Sequence, residues 1–280
     1  MKFGAHVSIA HGIQYAPLNA NQLGCEVFQM FTRPPQGGPA SNLNEQAIED
    51  FLTNCSKFQF TDYYVHAPYY INLASIKKNI YFGSIAAIRK ELEVGAKIKA
   101  EYVMFHPGSA KDVTEKKGIK MVIEGLKKIL DGYDGATELL IENSAGAGSV
   151  VGDKFEEIAE IIQEVNHPKL TGVCLDTAHS FESGYDWQDK KAVDNTLKKF
   201  DKTLGLSKLK MMHGNDSKTV IGSHSDRHEH IGQGEIGLGG FKAIIKHSKL
   251  QKINLVLETP ADQGGYKTDL KILKDLRAGQ

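Results

Sequence analysis

Six apolar segments of this sequence end in a side chain that could bind a metal ion. They are three histidines, two glutamates and one aspartate: His66, His106, Glu142, Asp176, His213 and Glu258. Imidazole nitrogens and carboxylate oxygens are the usual protein ligands of Zn²⁺ and related cations. Any one of these residues could have a structural role, but the repetition of one chemical set favours a shared metal site. Carboxylates buried together need counter-charge, so we expect cations among them.

A further group of potential ligands involves the polar, glycine-rich segment SDRHEHIGQGEIG, residues 225–237. Asp226 and His228 are two positions apart, so their side chains point to the same side of an extended chain. With His179, from the segment LDTAHS, they predict a site of two histidines and one carboxylate. We expect His230 to support this site or to lie on the surface. We expect the glycines to bring backbone N–H groups near a ligand; the alternative is a flexible charged loop.

The elements that must position these residues are eight short apolar segments alternating with longer amphipathic ones. The alternation predicts a single (β/α)8 TIM barrel domain over residues 1–280, with the active site at the C-terminal ends of its strands. A doubly wound open sheet is the alternative, but no G-x-G-x-x-G follows the first predicted strand. The predicted strands are 2–8, 26–32, 62–68, 101–108, 138–144, 171–179, 209–216 and 253–260, and predicted helices include 84–100, 117–130, 154–165 and 238–250.

Composition limits the functional classes. Lys plus Arg and Asp plus Glu both total 34, so net charge gives no sign of a polyanionic or membrane partner, and any polyanion must be met by local charge. The three cysteines are widely spaced in apolar sequence, which predicts reduced thiols. We expect neither a secretory signal nor a membrane span, and therefore a soluble, cytoplasmic protein.

Eight segments spread over essentially the whole sequence match a known pattern: GAHVS, VHAPYYINLAS, FHPGS, IENSAGAGS, GVCLDTAHSFESGYD, MHGNDSK, DRHEHIGQGEIG and LETP. By these segments the sequence resembles the endonuclease IV family of apurinic/apyrimidinic endonucleases. It implies a zinc-dependent DNA repair enzyme that cleaves double-stranded DNA 5′ to an abasic site and removes blocking groups from 3′ ends at breaks. It also implies three zinc ions per chain, and we expect a monomer.

At the matching positions, the resemblance implies three zinc ions, two of which share Glu142. The three ligand sets are His66, His106 and Glu142; Glu142, Asp176, His213 and Glu258; and His179, Asp226 and His228. Glu142 and Glu258 are expected to be catalytic, because a hydroxide bridging the two ions that share Glu142 would be the nucleophile. The third ion would steady the developing 3′-oxyanion.

The resemblance also points to Tyr69 as a DNA contact, and Arg227 is a candidate phosphate contact. Tyr70 could contact DNA or simply cover the barrel core. Two features depart from the family pattern: Gly214 stands where a larger apolar residue is expected, and the loop FTRPPQGG, residues 31–38, lacks the bulky and basic residues often found in the early DNA-probing loop of the family. We therefore expect Tyr69 to provide more of the insertion into the gap of an abasic duplex.

Two other functions are compatible with ligands at strand ends. A sugar isomerase or epimerase of the related xylose isomerase-like barrels would use one or two metals, and the third site of the DRH segment argues against it. A non-catalytic DNA-binding barrel would have lost some of the ligands, whereas all the expected positions carry a suitable residue here.

Overall fold

The structure, a computed structural model, describes residues 1–36, 43–262 and 265–279. Its barrel strands are β1 (Phe3–Val7), β2 (Val27–Met30), β3 (Tyr63–His66), β4 (Tyr102–Phe105), β5 (Glu138–Glu142), β6 (Leu170–Asp176), β7 (Leu209–His213) and β10 (Asn254–Leu257). Two short strands, β8 (Asp216–Ser217) and β9 (His228–Glu229), form an antiparallel pair outside the barrel. The eight barrel strands are all parallel, and the barrel closes because β1 pairs with both β2 and β10.

The prediction of a TIM barrel is confirmed, and the closed sheet excludes the open-sheet alternative. Each predicted strand has a counterpart, but most predictions extend too far at the C-terminal end. The segment 171–179 is an example, since the strand ends at Asp176 and a helix begins at the next residue. These excess residues form the loops and the short helix above the barrel, where several of the potential ligands lie.

The helices surround the barrel: α1 (Ala16–Leu23), α2 (Glu45–Lys57), α3 (Lys78–Ile98), α4 (Glu115–Leu130), α5 (Phe155–Val165), α6 (Thr177–Glu182), α7 (Lys190–Thr203), α8 (Gly237–Lys246) and α9 (Gly265–Ala278). Side chains of Asn44, Thr114 and Asp189 accept backbone N–H groups at the starts of α2, α4 and α7, which satisfies donors that have no partner within the helix. Within the described residues, no helix is both long and apolar enough to cross a membrane.

Strand alternation divides the core into two layers. On β3, Val65 faces the helices, whereas Tyr64 points into the barrel. The barrel interior is filled by Val27, Tyr64, Tyr102, Met104, Leu140, Cys174, Met211 and Val256. Because side chains alternate along a strand, the inward residue two positions further on lies one layer higher, at the C-terminal mouth.

Candidate metal centre

A ring of polar side chains lies directly above the apolar interior of the barrel. Met104 is followed two positions later by His106, and Leu140 by Glu142. The same alternation applies to every strand whose interior residue was named above. In barrel order from β1, the ring consists of His6, Glu258, His213, Asp176, Glu142, His106, His66 and Gln29. Six of these are the strand-end ligands predicted from the sequence. The other two positions are occupied by His6 and Gln29.

The first ligand group contains His66, His106 and Glu142, whose ligand atoms lie within 4.8 Å of one another. The Nε2 atom of His66 is 2.8 Å from Oε2 of Glu142, and that of His106 is 3.4 Å from the same oxygen. His66 and Glu142 are fully buried. Two imidazoles therefore face one carboxylate oxygen.

The second group contains Glu142, Asp176, His213 and Glu258, which also meet within 4.8 Å. The Nδ1 atom of His213 lies 2.8 Å from Oε1 of Glu142 and 3.4 Å from Oε2 of Glu258. Glu142 thus presents one oxygen to each of the first two groups. Cys174 also lies near His213, but burial raises the pKa of its thiol to about 12, and the thiolate is the metal-binding form.

The third group brings His179 and His228 together with two carboxylates. Their Nε2 atoms are 3.1 Å apart, and Oδ1 of Asp226 lies 3.4 Å from His179 and 3.7 Å from His228. Asp176 also reaches this group, with Oδ2 3.8 Å from Nε2 of His228. The structure therefore assembles the predicted trio and adds Asp176, which the sequence analysis placed only in the second group.

Hydrogen bonds to the second ring nitrogen determine which nitrogen of each histidine faces the group. The Nδ1–H groups of His66, His179 and His228 donate to the backbone carbonyls of Ala67, Asn143 and Glu258 at 2.6, 3.0 and 3.1 Å. Their Nε2 atoms then remain available as ligands. In the third group this leaves two Nε2 atoms facing each other at 3.1 Å, an arrangement that a cation between them would satisfy.

The electrostatics of the centre favour added positive charge. Burial raises the pKa of Glu142, but His106 and His213 outweigh it and hold this pKa well below its usual range. Burial lowers the pKa of His179, but Asp176 and Asp226 raise it well above its usual value. Within the described residues, ion pairs of these carboxylates involve only histidines, never Lys or Arg. Buried carboxylates with imidazole partners fit divalent cations of the zinc class.

Asp176 connects the second and third groups through local structure. It is the N-cap of α6, and its Oδ1 accepts the backbone N–H of His179 at 2.9 Å, which places that imidazole one helical turn above the strand end. Its Oδ2 accepts from the side-chain amide of Asn215 at 2.6 Å, and Asn215 Oδ1 accepts the backbone N–H of Glu258 at 2.7 Å. Sequence reasoning missed Asn215, although it lies two positions after the ligand His213.

Glu182, at the end of α6, holds the loop that carries Asp226. Its Oε1 accepts from the hydroxyls of Ser217 and Thr219 and from the backbone N–H of Arg227. Glu182 is fully buried, and burial raises its pKa to about 7. Glu182 could not be identified from the sequence, because its partners are about 40 residues away and polar side chains of this kind are common on loops.

The segment 225–237 is packed into the protein rather than forming a flexible charged loop. His230 is 2% exposed, and its ring nitrogens are each 2.9 Å from a carboxylate oxygen, of Asp269 on α9 and of Asp262. A surface position for His230 is therefore wrong. His230 instead connects the segment 225–237, through these two contacts, to the residues that follow β10.

The expectation that the glycines offer backbone N–H groups to a ligand is also wrong. The N–H groups of Gly232, Gly234, Ile236 and Gly237 all donate to the buried carboxylate of Asp216. The chain's own carboxylate occupies this concave arrangement of amides, which elsewhere binds anions.

The predicted DNA contacts lie at the mouth. Tyr69 is 59% exposed and packs edge-to-face on Phe31 at a centroid distance of 5.1 Å, while Tyr70 is 39% exposed. Arg227 is exposed, with its guanidinium donating to the backbone oxygen of Asp226. Of the PPQGG stretch, Pro34, Pro35 and Gln36 are described, whereas Gly37 and Gly38 lie outside the described residues.

The departure at Gly214 has a packing explanation. A Cβ atom there would be 2.1 Å from the side chain of Leu255 on the neighbouring strand β10. Gly214 is buried, and Leu255 fills the space that a larger residue at position 214 would take. This departure therefore concerns the apolar layer between the barrel and its helices rather than the mouth of the barrel.

Comparison with known proteins agrees with this geometry. The xylose isomerase-like TIM barrel family matches residues 18–276, which defines the class of fold and site. The chain is 37% identical over 277 residues to the probable endonuclease 4 of Halothermothrix orenii, covering 99% of both chains. The crystal structure of endonuclease IV from Thermus thermophilus superposes with a TM-score of 0.89 at 31% identity and covers 100% of both chains. Within the wider class, the chain belongs to the endonuclease IV family.

Proposed function

We propose that this protein is a DNA repair endonuclease that hydrolyses the phosphodiester 5′ to abasic sites and removes blocking groups from 3′ ends. The observation that carries the proposal is the convergence of three ligand groups, joined through Glu142 and Asp176, at the mouth of the barrel. Membership of the endonuclease IV family supports DNA as the substrate.

We assign three zinc ions to these groups. Their ligands are His66, His106 and Glu142; Glu142, Asp176, His213 and Glu258; and His179, Asp226 and His228. Held by these residues, zinc ions would supply positive charge against the phosphodiester and the leaving 3′-oxygen, and would make a hydroxide nucleophile available at neutral pH.

The protein's own residues hold this centre in place. Glu142 is held between His66 on one side and His213 on the other, each at 2.8 Å, so its two oxygens are fixed in different directions. Most of the candidate ligands end a barrel strand or directly follow one, and a rigid sheet keeps their spacing constant through a reaction. The buried carbonyls that accept from the histidines further restrict ring rotation.

A cleft of about 410 Å³ beside the third group offers a place for the DNA backbone. Its lining includes Tyr69, Lys77, Lys111 and the ligands His106 and His179. The two lysines can contact phosphates, and they lie beside two aspartates, Asp112 and the candidate ligand Asp226. An exposed aromatic ring can stack in the gap left by a missing base.

The sugar epimerase alternative is supported by fold alone. A D-tagatose 3-epimerase-like protein superposes with a TM-score of 0.73 at 18% identity. The third group, with Asp226 and His228 on the loop after β7, argues for the nuclease. A non-catalytic barrel is disfavoured because every expected ligand position is retained and all the ligands converge.

The test combines metal analysis with strand cleavage. Purified protein should contain close to three zinc ions per chain and should nick a duplex with one abasic site on its 5′ side, leaving a 3′-hydroxyl that a polymerase extends. The same duplex without the lesion should remain intact, and removal of metal by a strong chelator should abolish cleavage. A content of one ion per chain, or an intact abasic duplex with metal-loaded protein, would refute the proposal.

A further inference from the structure

Gln29 on β2 contacts two candidate ligands of the second group. Its side chain is fully buried at the barrel mouth. The Nε2–H group of His213 donates to Gln29 Oε1 at 2.7 Å, and Gln29 Nε2 donates to Oε1 of Glu258 at 2.7 Å. One amide therefore joins a histidine of β7 to the carboxylate that follows β10.

The orientation of this amide is determined by its neighbours. Rotation by half a turn would place the carbonyl oxygen of Gln29 against the carboxylate of Glu258, where two acceptors repel each other. Nδ1 of His6 lies 3.0 Å from the amide nitrogen of Gln29 and 3.2 Å from Oε1 of Glu258. The contacts to His213 and Glu258 thus require the same orientation of the Gln29 amide.

The contact has a specific consequence for His213. A carbonyl oxygen can only accept a hydrogen bond, so Nε2 of His213 must carry the proton and Nδ1 faces Glu142, Asp176 and Glu258. His66, His179 and His228 are held the opposite way round, by Nδ1–H donation to backbone carbonyls. For His213, the acceptor is instead the side chain of Gln29, which a single substitution can remove.

We infer that Gln29 is a positioning residue of the metal centre, which sets the ring nitrogen that His213 presents to a bound ion and fixes the direction of Glu258. The inference rests on the proposed metal-dependent function but concerns a residue outside the ligand set. Partners that orient a metal-binding histidine typically contribute roughly 10- to 100-fold in metal affinity. The effect should be confined to the second group, since Gln29 contacts no ligand that belongs only to the other two.

The experiment compares three variants. Gln29→Met keeps approximately the side-chain length and removes both hydrogen bonds, whereas Gln29→Asn keeps the amide but shortens the reach by one methylene group. Val27→Ala is the matched control, because Val27 lies on the same strand and the same side, one layer below, among apolar residues. Zn²⁺ affinity of metal-stripped protein is measured by competition with a chelator, and Co²⁺ absorption spectra report the ligand geometry.

We expect both Gln29 variants to bind the ion of one site at least roughly tenfold more weakly and to give an altered Co²⁺ spectrum. Val27→Ala should lower thermal stability but bind like the unaltered protein. If either Gln29 variant folds and binds Zn²⁺ with unchanged affinity and an unchanged spectrum, the inference is wrong. If the unaltered protein itself binds no Zn²⁺, the proposed function fails first, and the two failures are thereby distinguished.

Discussion

Glu182 gives the protein a pH-dependent stability that a single substitution should remove. The carboxylate is fully buried, and its Oε2 has no hydrogen-bond partner within the described residues. Its Oε1 accepts from Ser217, Thr219 and Arg227. Burial therefore disfavours the ionised form and raises the pKa from its ordinary 4.5 to about 7.

The direction in which the free energy of unfolding changes with pH follows from proton binding. Between these two pKa values the folded state holds a proton that the unfolded state has lost, so the free energy of unfolding decreases as pH rises from 4.5 and levels off above about 7. The pKa differs by about 2.5 between the folded and unfolded states, and at ~1.4 kcal/mol per pKa unit this corresponds to a loss of ~3.5 kcal/mol in the free energy of unfolding at high pH. Glu182→Gln is neutral throughout and can accept the same hydrogen bonds, so this part of the pH dependence disappears.

The assay is urea unfolding of metal-free protein at about pH 5 and about pH 8, where the unaltered protein should lose ~2–3 kcal/mol relative to Glu182→Gln. The difference between the two proteins removes the titration of the histidine-rich centre, which both share, apart from the interaction of Glu182 with His179 and Asp176. Glu164→Gln, at an exposed position on α5, controls for the loss of a negative charge. If the curves of unaltered protein and Glu182→Gln stay parallel between the two pH values, the burial argument is refuted.

Two further predictions concern catalysis and DNA binding. Changing Glu142 or Glu258 to Gln should lower abasic-site cleavage by ~10³-fold or more with DNA binding largely retained, because each removes a negative charge from the second ligand group. Single-turnover cleavage and filter binding measure the two effects, and near-normal turnover in either variant would contradict the assignment. Tyr69→Ala should weaken binding of an abasic duplex by ~1–3 kcal/mol, the range for one stacking contact, and leave zinc content and folding intact. Equal affinity of Tyr69→Ala and the unaltered protein for that duplex would mean that insertion has to be sought elsewhere, beginning with residues 33–38.

The barrel and most of the candidate site could be predicted because they depend on short-range patterns. Each strand is a local apolar segment, and the parallel arrangement carries its C-terminal residue to a common mouth. His106 and Glu258 illustrate the success, since each directly follows its strand and still points inward with the ring. Knowing the fold and the residue type was sufficient for these positions.

The supporting residues could not be predicted because their roles depend on contacts between distant segments. Gln29 stands alone as a polar residue within the apolar segment VFQMF, which is a detectable anomaly, but its partners His213 and Glu258 are known only from the closed barrel. The glycine-rich segment was misjudged for the same reason. From the sequence, its backbone N–H groups could bind any anion. Only the structure shows that they donate to the carboxylate of Asp216.

The position of β10 in the barrel has a consequence for the protein while it is being synthesised. This strand, late in the chain, lies between β1 and β7, and it is followed at once by Glu258. A nascent chain that has not yet reached it has two unpaired sheet edges, lacks a carboxylate of the second group and lacks the carbonyl that orients His228. Domains fold as units once their segments have emerged from the ribosome. The candidate metal centre is therefore completed only after β10 and Glu258 have been synthesised, and a chain that stops before them carries no assembled site.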